Sequence, residues 1–247
     1  MPQHSSFLFF DLEGKHSPNS IREFYAKPIA GIEQLMPSTV SNNSTSVSFH
    51  EADTSKFSPW VKKAIPVDQY QYNLWFGWNN RNSDMPKLQQ YDALKEYNSK
   101  VIHLDLYLLT KKLFGFPSYK LKNLCQNYKI DTTGHHKSEK DVVMLEKLFF
   151  ALIKDYASRT VGPSEAKPTS DSEALSFFFA SKIIFKVAKK ERAFTLFEYL
   201  MQVSKVPAAT VKNIQHVVEQ NLVPQLRTIH TMQSHEANAE IEWKKSI

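Results

Sequence analysis

Two hydrophobic rhythms divide this chain, and their order predicts its architecture. Phe7-Leu8-Phe9-Phe10 is a short apolar run of the kind that forms a buried strand, predicted over residues 6–12. Residues 21–27 and 45–50 predict two further strands, and the Ser/Thr/Asn-rich stretch Ser38 to Ser48 a surface loop. Tyr72 to Trp78 predicts a central strand and Val101 to Leu104 a fifth. Between and after them the rhythm turns helical. One helix is expected near Ser58-Pro59, with proline at its first position. Others are expected over Met85 to Tyr97, over Leu106 to Phe114 (stopped by Gly115-Phe116-Pro117), and over Tyr119 to Tyr128. Val142, Leu145, Phe149, Leu152 and Tyr156 recur at helical spacing within Ser138 to Tyr156.

Arg159 to Asp171, with Gly162-Pro163 and Pro168, reads as a linker. Residues 172–203 and about 208–233 read as helices, broken at Pro207 and interrupted by Pro224. The order predicts an α/β fold with a mixed sheet. It also predicts a partition into residues 1–157, a linker over 158–171 and an all-helical extension over 172–247.

Composition narrows the class. With 42% hydrophobic and 13% aromatic residues, the chain is no disordered segment. The single Cys125 permits neither an internal disulfide nor a cysteine zinc site, which fits a reducing, cytoplasmic compartment. The Phe7 to Phe10 run is too short and lacks the basic flank of a signal peptide. Ala174 to Ala188 carries Lys182 and Lys186 and is too short and too charged to span a bilayer, so no membrane partner is expected. A net charge of +6 and a pI near 9.1 fit either a generally basic surface or a nucleic-acid partner.

The candidate chemistry starts at Asp11 and Glu13. At positions i and i+2 of a strand they share one face, and paired carboxylates are the hard oxygen ligands that Mg²⁺ or Mn²⁺ takes. Spacing alone does not single them out, because Asp171-Ser172-Glu173 has it too. That second pair follows a Pro/Ser/Thr stretch and reads as the acidic first turn of a helix. Asp84, after the turn Gly77-Trp78-Asn79-Asn80-Arg81-Asn82-Ser83, is either a helix cap or a third carboxylate for the same site. Asp141 is either a first-turn acid facing the helix dipole or a fourth. His136 is a solvated loop histidine or a catalytic base.

The ordered set Asp11-x-Glu13, Asp84 in a Gly-aromatic-Asn context, and His136-x₄-Asp141 resembles the DEDDh exonucleases, which trim DNA or RNA ends and proofread for polymerases. The resemblance covers about residues 5–157 and includes His103-Leu104-Asp105-Leu106 and Ser118-Tyr119-Lys120-Leu121-Lys122-Asn123-Leu124-Cys125. It implies an RNase H-like mixed five-stranded sheet flanked by helices. It also implies 3′→5′ hydrolysis of single-stranded nucleic acid, DNA ahead of RNA, with two Mg²⁺ or Mn²⁺ ions about 3.5–4 Å apart. Asp11 would bridge the ions, Glu13 and Asp141 would complete the nucleophile-side ion, Asp84 would hold the other, and His136 would act as base. The family usually follows its first Glu with Thr-Gly or Thr-Ser, where this chain has Gly14-Lys15, and that side chain bears on seating the terminal nucleotide. Lys27 to Lys56 matches poorly.

Phe114, Phe116 and Tyr119 would stack bases or, as is commoner, pack beneath a loop. Residues 172–247 match no motif. Their run Lys182, Lys186, Lys189, Lys190 and Arg192 would be a solvated helix face, a nucleic-acid clamp or part of a dock for a protein partner. A catalytically weak binding or accessory subunit that docks a polymerase through these residues is the alternative function.

Overall fold

The Phe7 to Phe10 run lies within the longest strand among the described residues. A computed structural model describes residues 5–15, 20–37, 45–162, 166–187 and 190–222. The chain runs through β1 (Ser5–Gly14), β2 (Ile21–Pro28), α1 (Ile32–Leu35), β3 (Val47–His50) and α2 (Phe57–Ala64). It continues with β4 (Tyr72–Gly77), α3 (Asp84–Gln89), α4 (Lys95–Ser99), β5 (Val101–Asp105), α5 (Leu106–Leu113) and α6 (Leu121–Asn127). The long α7 (Ser138–Thr160) follows. Then come α8 (Asp171–Ala180), β6 (Ile183–Val187), β7 (Lys190–Phe194), α9 (Leu196–Val203) and α10 (Ala208–Asn221).

All five expected strands form, in one mixed sheet of order β3-β2-β1-β4-β5. β1 pairs antiparallel with β2 and parallel with β4, in register Phe9 to Phe76. Strand alternation then sorts the side chains. Phe7 and Phe9 face one layer with Leu74, Phe76 and Leu104, covered by α5 to α10. Phe10 and Leu12 face the other, with Phe24 and Trp75, under Phe57 and Val61 of α2 and Tyr97 of α4. Asp11 and Glu13 share the parity of Phe7 and Phe9, so they emerge beside α7.

Two expectations fail. The helix expected over Met85 to Tyr97 is two short ones, because Tyr91 turns extended and its hydroxyl accepts the Ile21 N–H at 3.0 Å. The carbonyl of Leu88 then accepts from the Asn98 amide rather than from a continuing helix. The all-helical extension is also corrected. β6 and β7 pair antiparallel, so Lys182, Lys186, Lys190 and Arg192 lie on no helix face. The β-branched pair Ile183-Ile184 and the alternation of Ile183, Phe185 and Val187 against Lys182 and Lys186 favour strand over helix. Lys189, residues 38–44, 163–165 and the expected helix beyond Leu222 lie outside the described residues.

After its exposed first turn, α8 is apolar from Ala174 to Ala180 apart from Ser176, and those apolar residues are buried. Its capping box, Ser170 with Glu173, bears out the reading of Asp171-Ser172-Glu173 as a helix start. Phe178 packs on Phe76 of β4, Phe149 of α7 and Phe197 of α9 at centroid distances of 6.5, 5.0 and 5.9 Å. Phe7 packs on Phe179 at 5.7 Å. The core on one face of the sheet and the buried apolar side chains of α8 and α9 are therefore one cluster. Phe178→Ala should cost about 3–5 kcal/mol and shift a single urea transition measured by circular dichroism and fluorescence together. A loss below about 1 kcal/mol, or two separable transitions, would show that the two parts do not share a core.

Candidate metal centre

Geometry brings the expected acids together from three elements. β1 carries Asp11 and Glu13 past the end of β4, whose last pairing with β1 is at Phe76. Gly14 closes this segment: the register slips between Glu13 and Gly14, and a Cβ there would collide with the Ser20 carbonyl oxygen. The missing threonine of the resembled family is thus a demand of the β1–β2 hairpin. Asp141 lies in the first turn of α7, buried, and its carboxylate accepts from the His136 backbone N–H at 3.3 Å. One oxygen each of Asp11, Glu13 and Asp141 lies within 4.8 Å of the others.

Asp84 arrives by a tight turn. A Cβ on Gly77 would sit 2.8 Å from Asn80 and 3.0 Å from Phe10, so only glycine lets the chain fold back there. Asn79 adopts a left-handed φ of 55°, as Asn tolerates better than most residues. The Asn80 side chain donates to the Leu104 carbonyl at 3.2 Å, and the Asp84 N–H donates to the Asn80 carbonyl at 3.0 Å. Asp84 is then the first residue of α3, 3% exposed; the N-cap position belongs to Ser83.

The electrostatics follow from packing four acids together. Burial raises the Asp11 carboxyl well above its ordinary range, and the charges of Asp84, Asp141 and Glu13 push it further. Asp11 Oδ2 is buried with no hydrogen-bond partner among the described residues. Burial also pushes Asp84 up to about 7, against the opposing charge of Lys87, and raises Glu13. An orphaned carboxylate oxygen facing other oxygen donors suits a hard divalent cation, whose charge inverts this pKa logic. The residues present could hold a divalent cation.

His136 lies at the rim, its side chain 77% exposed and its Nδ1 4.0 Å from Glu13 Oε1. Its φ of 74° is a left-handed conformation uncommon for a histidine. Of Phe114, Phe116 and Tyr119, the first is buried and stacks on Phe116 at 5.1 Å, so packing is its role here.

Three functional neighbours escaped the sequence reading. His135, whose ring stacks on His136 at 3.9 Å, donates from Nδ1 to Asp141 Oδ1 at 2.8 Å, since a carboxylate only accepts. Lys87, 8% exposed, sits one turn after Asp84 and sets its positive charge against Asp84, Glu13 and Asp11. Its i+3 spacing from Asp84 on one helix was the available signal. Asp105, fully buried, accepts from the Asn79, Arg81 and Tyr107 N–H groups at 3.0, 3.4 and 3.1 Å.

No family model matches this chain, and a search of curated proteins likewise finds no match. Among the described residues no helix is long and apolar enough to cross a membrane.

The raised Asp84 has a measurable consequence. In metal-free protein the folded chain holds a proton that an unfolded aspartate releases near pH 4. That contribution to stability is full below about pH 4 and is lost as pH rises through about 7. His103 acts oppositely, since burial depresses it to about 4 and its neutral form gains stability up to about pH 6.5. Comparing wild type with Asp84→Asn cancels that part. In chelator, the variant should gain a few degrees in Tm over wild type between about pH 4 and pH 7. A Tm difference that stays constant across this range would refute the buried, protonated Asp84.

Proposed function

We propose that this chain is a divalent-metal-dependent 3′→5′ exonuclease of the DEDDh type, with an RNase H-like fold, acting on single-stranded DNA ahead of RNA. The observation that carries the reading is the convergence of Asp11, Glu13 and Asp141 oxygens within 4.8 Å, with Asp84 the strongest like charge on Asp11. Four acids from β1, α3 and α7 at one end of a mixed sheet match the order and spacing of that family's motifs. The basic balance of the chain suits a phosphate backbone.

Asp11, Glu13, Asp84 and Asp141 would hold two Mg²⁺ or Mn²⁺ ions. When bound, such ions activate water and neutralise charge on the attacking and leaving oxygens of a phosphodiester. The remaining work falls to the chain's own groups. His136, exposed beside Glu13, can reach a water entering from solvent and accept its proton, and imidazole suits that role near neutral pH. His135 fixes the Asp141 carboxylate by its Nδ1–H, as hydrogen bonds to a ligand group orient it elsewhere. Water oxygen bonds to phosphorus as the bond to the 3′ oxygen of the penultimate nucleotide breaks, releasing a nucleoside 5′-monophosphate. Docking of a polymerase or other partner through residues 172–247 gains no support from α8 and α9, whose main apolar side chains are buried inside the chain.

Matched oligonucleotides labelled at the 3′ or the 5′ end, as DNA and RNA, test the reading. The 3′ label should leave first as a mononucleotide, chelator should abolish cleavage, and Mg²⁺ or Mn²⁺ should restore it. His136→Ala should lower turnover by about 10²–10⁴-fold, with loss of the acid limb of the pH–rate profile. Full activity in Asp11→Ala would sink the assignment. The control Asp171→Ala removes only an exposed ion pair with Lys154 at 2.7 Å and should be nearly silent.

A further inference from the structure

The turn that delivers Asp84 is held from outside the expected exonuclease motifs. Asp105, at the end of β5, binds the Asn79 and Arg81 amides with its two carboxylate oxygens. The backbone N–H of the same Asp105 donates to Ser204 Oγ at 2.9 Å. Arg81 in turn donates from its guanidinium to the Ser204 carbonyl at 2.7 Å. One residue, more than 40 positions beyond α7, thus contacts both the turn and its anchor.

Ser204 is itself fixed. It caps the C-terminus of α9, where Lys205 takes a left-handed φ of 58°. The Val206 N–H returns to the Met201 carbonyl at 3.0 Å and the Lys205 N–H to the Gln202 carbonyl at 2.9 Å, the paired bonds of a Schellman cap. α9 cannot drift, because Leu196, Phe197, Leu200 and Met201 are at most 1% exposed in the main core. The carbonyl that Arg81 uses is one of the unpaired acceptors of a helix end, and a charged donor makes the stronger bond to it.

We propose that the α9–α10 turn is a positioning element of the metal centre: Ser204, through Arg81 and Asp105, straps the Asn79 to Ser83 turn in the form that presents Asp84. This deepens, and rests on, the metal-site reading above. It assigns part of the C-terminal segment to the chemistry, where the sequence suggested only substrate holding or partner docking. Arg81 and Ser204 are positioning residues, and neither touches the reacting atoms.

The test uses the full chain with Arg81→Ala and Arg81→Lys. Amide hydrogen exchange in chelator is the first readout. Arg81→Ala should speed exchange at Asn79 and Arg81 by about tenfold or more, while β1 and α7 amides keep their protection. The second readout is the Mn²⁺ concentration for half-maximal oligonucleotide cleavage. It should rise about tenfold in Arg81→Ala with KM for the oligonucleotide within about twofold, and Arg81→Lys should recover most of the loss, since lysine keeps a charged donor. Unchanged exchange and an unchanged Mn²⁺ requirement in Arg81→Ala would overturn the strap. If the wild-type chain shows no metal-dependent cleavage, the exonuclease reading fails and exchange alone decides the strap. Should Arg81→Ala not fold, Ser204→Ala replaces it. That variant keeps the carbonyl but removes the acceptor of the Asp105 N–H, and unchanged exchange at both Asp105 and Asn79 would overturn the proposal.

Discussion

Burial of Asp11 among Asp84, Asp141 and Glu13 is the constraint on which the rest of this structure turns. Like charges in a low-dielectric pocket repel strongly, and a carboxylate there gives up its charge before the fold gives way. The raised Asp11 and Asp84 carboxyls express that conflict. Lys87 relieves part of it with one positive charge on the same helix as Asp84, but one ammonium does not balance four acids. Such a site is stable only if its surroundings hold the acids in place independently of the favourable energy they lack.

The aromatic core does that holding. Phe9, on the strand that carries Asp11, packs on Phe76 at 5.9 Å and Phe149 at 5.3 Å, joining β1, β4 and α7 one layer below the acids. On the opposite face Phe10 packs on Trp75 at 5.2 Å. Edge-to-face and tilted rings of this kind add to area burial and fix relative orientation. The strand that carries Asp11 and Glu13 and the helix that carries Asp141 are thus anchored close to the acids, so repulsion there is resisted by apolar surface.

Much of this was legible because it is local. The strand alternation that puts Asp11 and Glu13 on one face is a two-residue rule, and the five strands could be read from apolar runs and their breaks. The helical period of Ser138 to Tyr156 placed Asp141 in a first turn. What escaped was set by partners distant in sequence. The break at Tyr91 depends on the Ile21 N–H, 70 residues away. The β6–β7 pairing was misread because Ile184, apolar and out of phase, let a helical pattern fit a period-two segment. Asp105 looked like part of a strand end, and only the fold shows it gathering three backbone amides.

The two adjacent histidines show how far motif spacing can carry a functional argument. Spacing favours His136, and the structure leaves its ring exposed at the rim beside Glu13, free to meet solvent. His135 spends its Nδ1–H on Asp141 and is 19% exposed at the side chain, so it is committed to the carboxylate it orients. The two rings stack at 3.9 Å, so His135 touches both His136 and the Asp141 carboxylate. With its Nδ1–H held by the Asp141 carboxylate, His135 is fixed in orientation and fixes that carboxylate in turn. The division between the pair therefore follows from hydrogen-bond occupancy, which spacing alone does not reveal.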